Sequence, residues 1–289
     1  MHKLAQVKVG GTNPVRIMGI LNTSPESFYK KSIKKENQIA ESARQMEYDG
    51  ADFIDVGGMS TAPYLSTMVS EREEIRRVSR AIRQIQNATN LPISIDTCRA
   101  SVAKEALLLG TDILNDISGL KYDKEMIHTV SRFHPSVVLC AYGTKMLRGN
   151  LILQTKRLLQ SSIAMAKSAK IKPGNIAIDP AIGFFRKTGK NSFYTKITKD
   201  WFQHDLDVLR NLHFFKKMNY PILISASNKS FIGKMIDKKD PSDRIYGSIV
   251  AEAIAVINGA DIIRTHNVKE TKDAVSVAQR FSKKLRKNL

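Results

Sequence analysis

Cysteine is nearly missing from this chain: 289 residues hold two, Cys98 and Cys140, and neither has a CxxC partner. That excludes a disulfide framework, and two buried thiols are the expectation. Long apolar runs are missing too, so no segment can serve as a membrane span. The first residues, MHKLAQVKVGG, lack the apolar core of a secretory leader, and the expected location is cytoplasmic. No GxxxxGKS or GxxxxGKT loop occurs, which argues against ordinary P-loop nucleotide chemistry. The six histidines fall in neither HxH nor HExxH spacing, which argues against a zinc hydrolase. No linker rich in Pro, Gly or Ser and no low-complexity tract divides the sequence, so one domain over residues 1–289 is expected. Acidic residues are the last shortage: 27 Asp and Glu against 46 Lys and Arg give a formal net charge of +19. Such an excess suits a nucleic-acid partner, an anionic substrate or a lysine-rich surface. The lysines are scattered, in KKSIKK, KMIDKKD and KKLRK, with no arginine-rich tract and no interleaved aromatics. Solvated faces account for them better than a nucleic-acid site.

What the chain does have is a repeated pattern. Short apolar runs lie at Val15 to Leu21, Phe53 to Val56, Ile93 to Ile95, Ile113 to Leu114, Val137 to Leu139, Ile176 to Ile178, Pro221 to Ile224 and Ile262 to Ile263. A helix-prone or amphipathic segment follows each, which makes eight βα units. In the stretch from Pro92 to Leu120, Val102, Ala103, Ala106 and Leu107 mark one helical face between two such runs. After the second strand, Ser70 and Glu73 form a capping-box pattern, and Ile75, Val78, Ile82 and Ile85 recur at three- and four-residue steps. Three helices are punctuated alike, by Gly50-Ala51-Asp52, Gly110-Thr111-Asp112 and Gly259-Ala260-Asp261, where glycine suits a left-handed closing residue. This recurrence predicts an α/β fold, a single (β/α)8 barrel of the TIM type.

In such a barrel the residues that end the strands line one mouth. They are Asn22, Asp55 with the loop GGMSTAP, Asp96, Asn115, Tyr142 to Thr144, Asp179, Ser227, Lys229, Arg264 and His266. Any one of them alone reads better as a helix cap. The whole series reads as a site. Asp96, Asn115 and Asp179 suit a flat ligand bearing amino and ring N–H donors. Arg264, His266 and Lys229 offer positive charge, so the pocket suits a heterocycle carrying a phosphate or pyrophosphate.

The strings MGILNTSPESF, GADFIDVGGMST, SIDT, GTDILNDISGL, IAIDPAIGFF, ISASNKSFIGK and ADIIRTHNVKET, in this order from about Ile17 to Phe281, resemble dihydropteroate synthases, the pterin-binding barrel enzymes of folate synthesis. The resemblance implies a transferase that joins 6-hydroxymethyl-dihydropterin pyrophosphate to the amine of p-aminobenzoate and releases pyrophosphate. It implies that Asp96, Asn115, Asp179 and Lys229 hold the pterin, with Asp96, Asp179 and Lys229 in catalysis. Asn22, Arg264 and His266 would hold the pyrophosphate, with Asn22 also near a magnesium ion, and Thr61, Phe184 and Ser230 would form the wall for the second substrate. A homodimer through the last helices is common among such enzymes. Here, however, Ala274, Val277, Ala278 and Phe281 on the helix over 269–281 are expected to cover the barrel.

The sequence also departs from the family's pattern. Ala62 stands where a STRPG loop has arginine, Met59 replaces a glutamate, Asn228 replaces the arginine before Lys229, and Tyr29-Lys30-Lys31 replaces a glycine-rich tail. All four changes fall on the second-substrate side or its loops. A larger arylamine, such as the ribosylated aminobenzene phosphate of methanopterin-type pathways, is therefore an alternative to p-aminobenzoate. A pterin-dependent corrinoid-type methyltransferase fits less well, because Lys229, Arg264 and His266 suit a pyrophosphate better than a methyl donor. A non-catalytic pterin-binding paralogue is the third reading.

Overall fold

The computed structural model describes residues 1–25, 38–65 and 68–282. The altered segment Tyr29-Lys30-Lys31 and the basic KKSIKK and KKLRK runs lie wholly or mostly outside the described residues. The chain opens with a hairpin, β1 (His2–Leu4) and β2 (Val7–Val9). Then β3 (Arg16–Asn22), α1 (Ile39–Tyr48), β4 (Phe53–Gly57), α2 (Glu71–Gln86), β5 (Ile93–Asp96), α3 (Ala100–Leu108), β6 (Ile113–Asp116) and α4 (Met126–Phe133) follow. Next come β7 (Ser136–Cys140), α5 (Leu151–Ser168), β8 (Ile176–Asp179), the short β9 (Phe185–Arg186) and β10 (Thr195–Lys196), α6 (Trp201–Arg210) and α7 (Leu212–Lys216). The chain ends with β11 (Leu223–Ile224), α8 (Ser230–Met235), α9 (Ile245–Asn258), β12 (Ile262–Thr265) and α10 (Val268–Phe281).

Eight of these strands form one parallel sheet in the order β11, β12, β3, β4, β5, β6, β7, β8. A bridge between Ile178 and Ile222 joins its two edges and closes the barrel. All eight predicted βα units are present. Both faces of every strand are covered, which is why the runs read as continuously apolar rather than alternating. The alternation is nevertheless there. Met18, Phe53, Ile113, Val138, Ala177, Leu223 and Ile262 pack together with Leu4 and Val9 of the hairpin, closing the barrel floor. Their neighbours, among them Ile17, Leu21, Ile54, Val56, Leu114, Val137 and Ile263, join the layer under the helices. Two residues further along from the floor, the inward positions are polar on most strands, at Asp55, Asn115, Asp179, Ser225 and Arg264, and the mouth begins.

Local signals read from the sequence have direct counterparts. Ser70 caps α2 through a bond from the Glu73 N–H at 3.2 Å, although the Glu73 carboxylate turns to Arg76 and Arg77 instead of closing the box. Val102, Ala103, Ala106 and Leu107 are buried on α3 as expected. Gly50, Gly110 and Gly259 have φ of +93°, +92° and +114°. Gly19 has a different reason: a Cβ there would lie 2.9 Å from Met46 Sδ and 3.1 Å from Val268 Cγ2, so its absence lets α1 and α10 close on β3. Cys98 and Cys140 are both buried free thiols. No helix among the described residues is long and apolar enough to cross a membrane.

The expected covering stripe of the last helix is corrected by one step of the helix. Val268, Thr271, Val275 and Ala278 face inward, whereas Val277 and Phe281 are 61% and 65% exposed. At three- and four-residue spacing both sets describe apolar stripes, and the sequence of α10 alone does not distinguish them.

The hairpin was not foreseen, yet Leu4 is fully buried in the floor. Leu4→Ala is expected to cost about 2–5 kcal/mol in chemical denaturation, the range for a large-to-small core change. Ligand affinity at the opposite end of the barrel should be unchanged in the same protein.

Candidate active site

Strand register assembles the site. Asp96 at the end of β5 pairs with Asn115 on β6, placing carboxylate and carboxamide side by side as predicted, and Cys140 pairs with Asp179 across β7 and β8. One cavity at this end is lined by Asn22, Thr61, Asp96, Asn115, Asp179, Phe184, Lys229, Ser230, Arg264 and His266. Every residue given a role by the resemblance is therefore in it. Ser227 also lines the mouth. Tyr142 does not; its hydroxyl donates to the Ser192 carbonyl at 2.9 Å.

The charges are interleaved rather than divided into an acceptor side and a cation side. Arg264 Nε donates to Asp55 Oδ2 and Nη2 donates to Asp96 Oδ2, both at 2.6 Å. Asn115 Nδ2 donates to the same Asp55 oxygen at 3.1 Å. Asp55 is completely buried, and its Oδ1 meets no donor among the described residues. Burial works against the Arg264 charge, but Asp55 and Asp96 outweigh it and hold the guanidinium more firmly protonated than a free arginine. Burial raises the Asp96 carboxyl above the usual carboxylate range against the pull of Arg264, with Asp55 adding to the rise. Asp55 thus supports the site from beneath the cavity, a role the strand-end pattern hinted at without assigning.

On the other side, Asp179 Oδ1 accepts the Ala181 N–H at 2.7 Å. Burial lifts its carboxyl too, opposed by that bond and by Lys229. Lys229 Nζ lies 4.2 Å from the centre of the Phe184 ring, a cation–π contact. Burial pushes its amine down to about 8 despite Asp179. His266 corrects an expectation. Burial, with Arg264 and Lys229 nearby, lowers its imidazole to about 3. It is neutral at physiological pH, its Nδ1 is 2.9 Å from Ser227 Oγ, and it offers hydrogen bonding rather than charge.

The second-substrate wall shows what the sequence departures do. The loop at Thr61 and Ala62 is clamped by Asn191, whose Nδ2 donates to the Ala62 carbonyl at 2.7 Å, and by the Lys190 N–H bonded to Pro63 O at 2.7 Å. Ala62 and Met59 are buried and line the cavity. Asn228 has a left-handed φ of +56°, which asparagine tolerates better than most residues. Its side chain turns away to Ser248. Lining residues that the strand ends did not single out include Tyr64, Ser225 and Arg186. Arg186 Nη2 donates to Ser230 Oγ at 2.9 Å. Arg186 lies on a two-residue strand inside the long segment between β8 and α6, where no apolar run marks it.

Comparison with known proteins agrees with this geometry. The family model for pterin binding enzymes matches residues 18–266. A dihydropteroate synthase of Synechocystis is 33% identical over 270 residues, covering 91% of this chain and 88% of its own length. A solved dihydropteroate synthase of Coxiella burnetii, in complex with pteroic acid, superposes with a TM-score of 0.80 at 33% identity and 92% coverage of both chains. That of Xanthomonas albilineans, with 4-aminobenzoic acid, gives 0.81 at 28% identity and 93% of both. Because the shared sequence spans the whole barrel and its polar mouth, the chain belongs to the pterin binding enzymes and, among them, to the dihydropteroate synthases.

Proposed function

We propose that this one barrel is a working dihydropteroate synthase, joining 6-hydroxymethyl-dihydropterin pyrophosphate to p-aminobenzoate and releasing pyrophosphate. The observation that carries the reading is the convergence of Asp96, Asn115, Asp179 and Lys229 on one cavity whose outer wall is Thr61, Phe184 and Ser230. The pterin's amino and ring N–H groups meet the two carboxylates and the carboxamide. Its ring carbonyl meets Lys229. The pyrophosphate lies toward Asn22, Arg264 and His266.

Breaking the bond from the methylene carbon to the pyrophosphate oxygen leaves positive charge on the pterin. Asp96 and Asp179 stabilise that charge in a cavity of low dielectric, and Arg264 and Lys229 stabilise the departing anion. The arylamine lone pair forms the new C–N bond and the amine loses a proton. Phe184 packs against the arylamine ring. Asn22, at the mouth, would hold a magnesium ion bound with the pyrophosphate through its amide oxygen, a hard donor of the kind magnesium takes. Such an ion would neutralise charge on the leaving group.

The reading extends to a homodimer. Tyr246, Val250, Ile254 and Ile257 of α9 and Val277 and Phe281 of α10 are exposed apolar side chains on two adjacent helices. A stripe of this kind is the usual sign of a protein interface.

Three measurements test these statements. Purified protein with magnesium and the pterin pyrophosphate should release pyrophosphate only when p-aminobenzoate is added. Release with a ribosylated arylamine phosphate instead would transfer the activity to the methanopterin-type reaction, and Asp96→Asn should abolish pterin binding while the circular dichroism and melting curve stay native. Second, affinity for the pterin pyrophosphate should fall as pH rises through about 8, because the Lys229 amine loses its proton there. Lys229→Met should remove that alkaline limb, and an unchanged limb would exclude Lys229 as its source. Third, sedimentation should give a dimer that Val250→Glu converts to a folded monomer; a monomeric wild-type protein would refute the assembly.

A further inference from the structure

We infer that Arg186 is the specificity-determining residue that recognises a carboxylate on the second substrate, an inference that rests on the condensation proposed above. Arg186 is buried, and it borders the cavity beside Phe184 and Ser230. Its guanidinium is fixed on three sides. Nη2 reaches Ser230 Oγ at 2.9 Å, Nη1 reaches the Phe185 carbonyl at 2.8 Å and Asp205 at 3.5 Å, and its carbon lies 4.1 Å over the Trp201 ring. Asp205 is itself engaged by the Gly183 N–H at 2.9 Å, closer than its contact with the arginine. Asp205 nevertheless faces Arg186 as an ion pair at 3.5 Å and balances part of its charge. No acceptor among the described residues meets its Nε–H, and one Nη2 hydrogen is likewise left over.

Elimination points the same way. Of the cavity's other cations, Arg264 is paired with Asp55 and Asp96, and Lys229 is the one placed against the pterin. Arg244, close by, donates to the carbonyls of Asn228, Lys238 and Lys239. Ala62 and Met59 carry no charge, and Asn228 faces Ser248. Arg186 is thus the cation left on the second-substrate wall among the described residues. It is coupled to the hydroxyl of Ser230, so guanidinium and hydroxyl present adjacent donors to one anionic group. A planar carboxylate para to the attacking amine matches a guanidinium held flat in this way.

Pyrophosphate-release kinetics with p-aminobenzoate and with its uncharged analogue 4-aminobenzamide test the inference. Arg186→Met is expected to raise the KM for p-aminobenzoate roughly 10- to 100-fold, the loss of one hydrogen bond to a charged group. The KM for 4-aminobenzamide and that for the pterin pyrophosphate should stay within about twofold, since neither depends on the lost charge-assisted bond. Arg186→Lys keeps a cation facing Asp205 but loses the flat fork. It carries the test if Arg186→Met does not fold, and its KM increase should again be confined to p-aminobenzoate. An equal loss for both amines, or no change for either, overturns the assignment. Equilibrium binding of the two amines to protein loaded with pterin and pyrophosphate separates this inference from the reaction. Wild-type protein that turns over neither amine, yet binds p-aminobenzoate in an Arg186-dependent way, refutes the condensation and retains the carboxylate subsite. Turnover of both amines with equal KM retains the condensation and overturns the subsite.

Discussion

Arg264 lies 2.6 Å from Asp55 on one side and 2.6 Å from Asp96 on the other, and the order of the mouth follows from that placement. A carboxylate as buried as Asp55 is tolerable only with a cation against it, because removing one partner of a buried pair typically costs about 3–5 kcal/mol. Asp55 in turn accepts from Asn115, so the carboxamide is oriented by the same pair. Asp96 receives a donor before any ligand arrives. A pterin binding there shares or replaces an existing hydrogen bond and meets no bare charge, which keeps the carboxylates pre-organised. Burial keeps His266 neutral, and the proximity of Arg264 and Lys229 adds to it. Thus one guanidinium fixes the charge state or direction of four neighbours.

The barrel makes this burial possible by separating its layers. The floor is filled by Met18, Phe53, Ile113, Val138 and their neighbours under the β1–β2 hairpin, so stability rests on apolar packing far from the charges. The charged inward positions lie above that floor, at Asp55, Asp96 and Asp179, with Asn115 beside them. Conservation of packing below and freedom of chemistry above is the general division of labour in this architecture. It explains why short strands of four residues suffice: one inward residue packs and the next reacts.

Much of this could be read from the chain itself, because it depends on local order. Period, caps and strand ends are short-range signals, and the pairing of Asp96 with Asn115 needs only consecutive parallel strands in register. The unread features are those made by contact across the sequence. Arg264 meets Asp55 across 209 residues and Asp96 across 168, so no local pattern could show that the cation is spent on the acids. The neutrality of His266 arises from burial beside two cations, and burial is a property of the closed barrel. The inward face of α10 depends on which neighbours it packs against. Arg186 sits on β9, two residues long, in a segment with no periodicity to mark it.

That last residue bears on how a divergent mouth keeps its charge balance. Three polar or charged positions expected of the family's second-substrate side are Met59, Ala62 and Asn228 here, and each has a structural accommodation. Met59 and Ala62 become buried wall, the Ala62 loop is clamped by Asn191, and Asn228 adopts a left-handed turn locked to Ser248. A wall stripped of those groups would present Thr61, Phe184 and the Ser230 hydroxyl without a cation, which suits a neutral ring. Arg186, stacked on Trp201 and linked to Ser230, restores a cation from the segment between β8 and α6. Because Asp205 approaches it only to 3.5 Å, this cation is better placed to meet an incoming anion than an arginine already closed into a short pair such as Arg264 with Asp55. On physical grounds, then, the altered loops describe a relocated anion contact rather than a lost one.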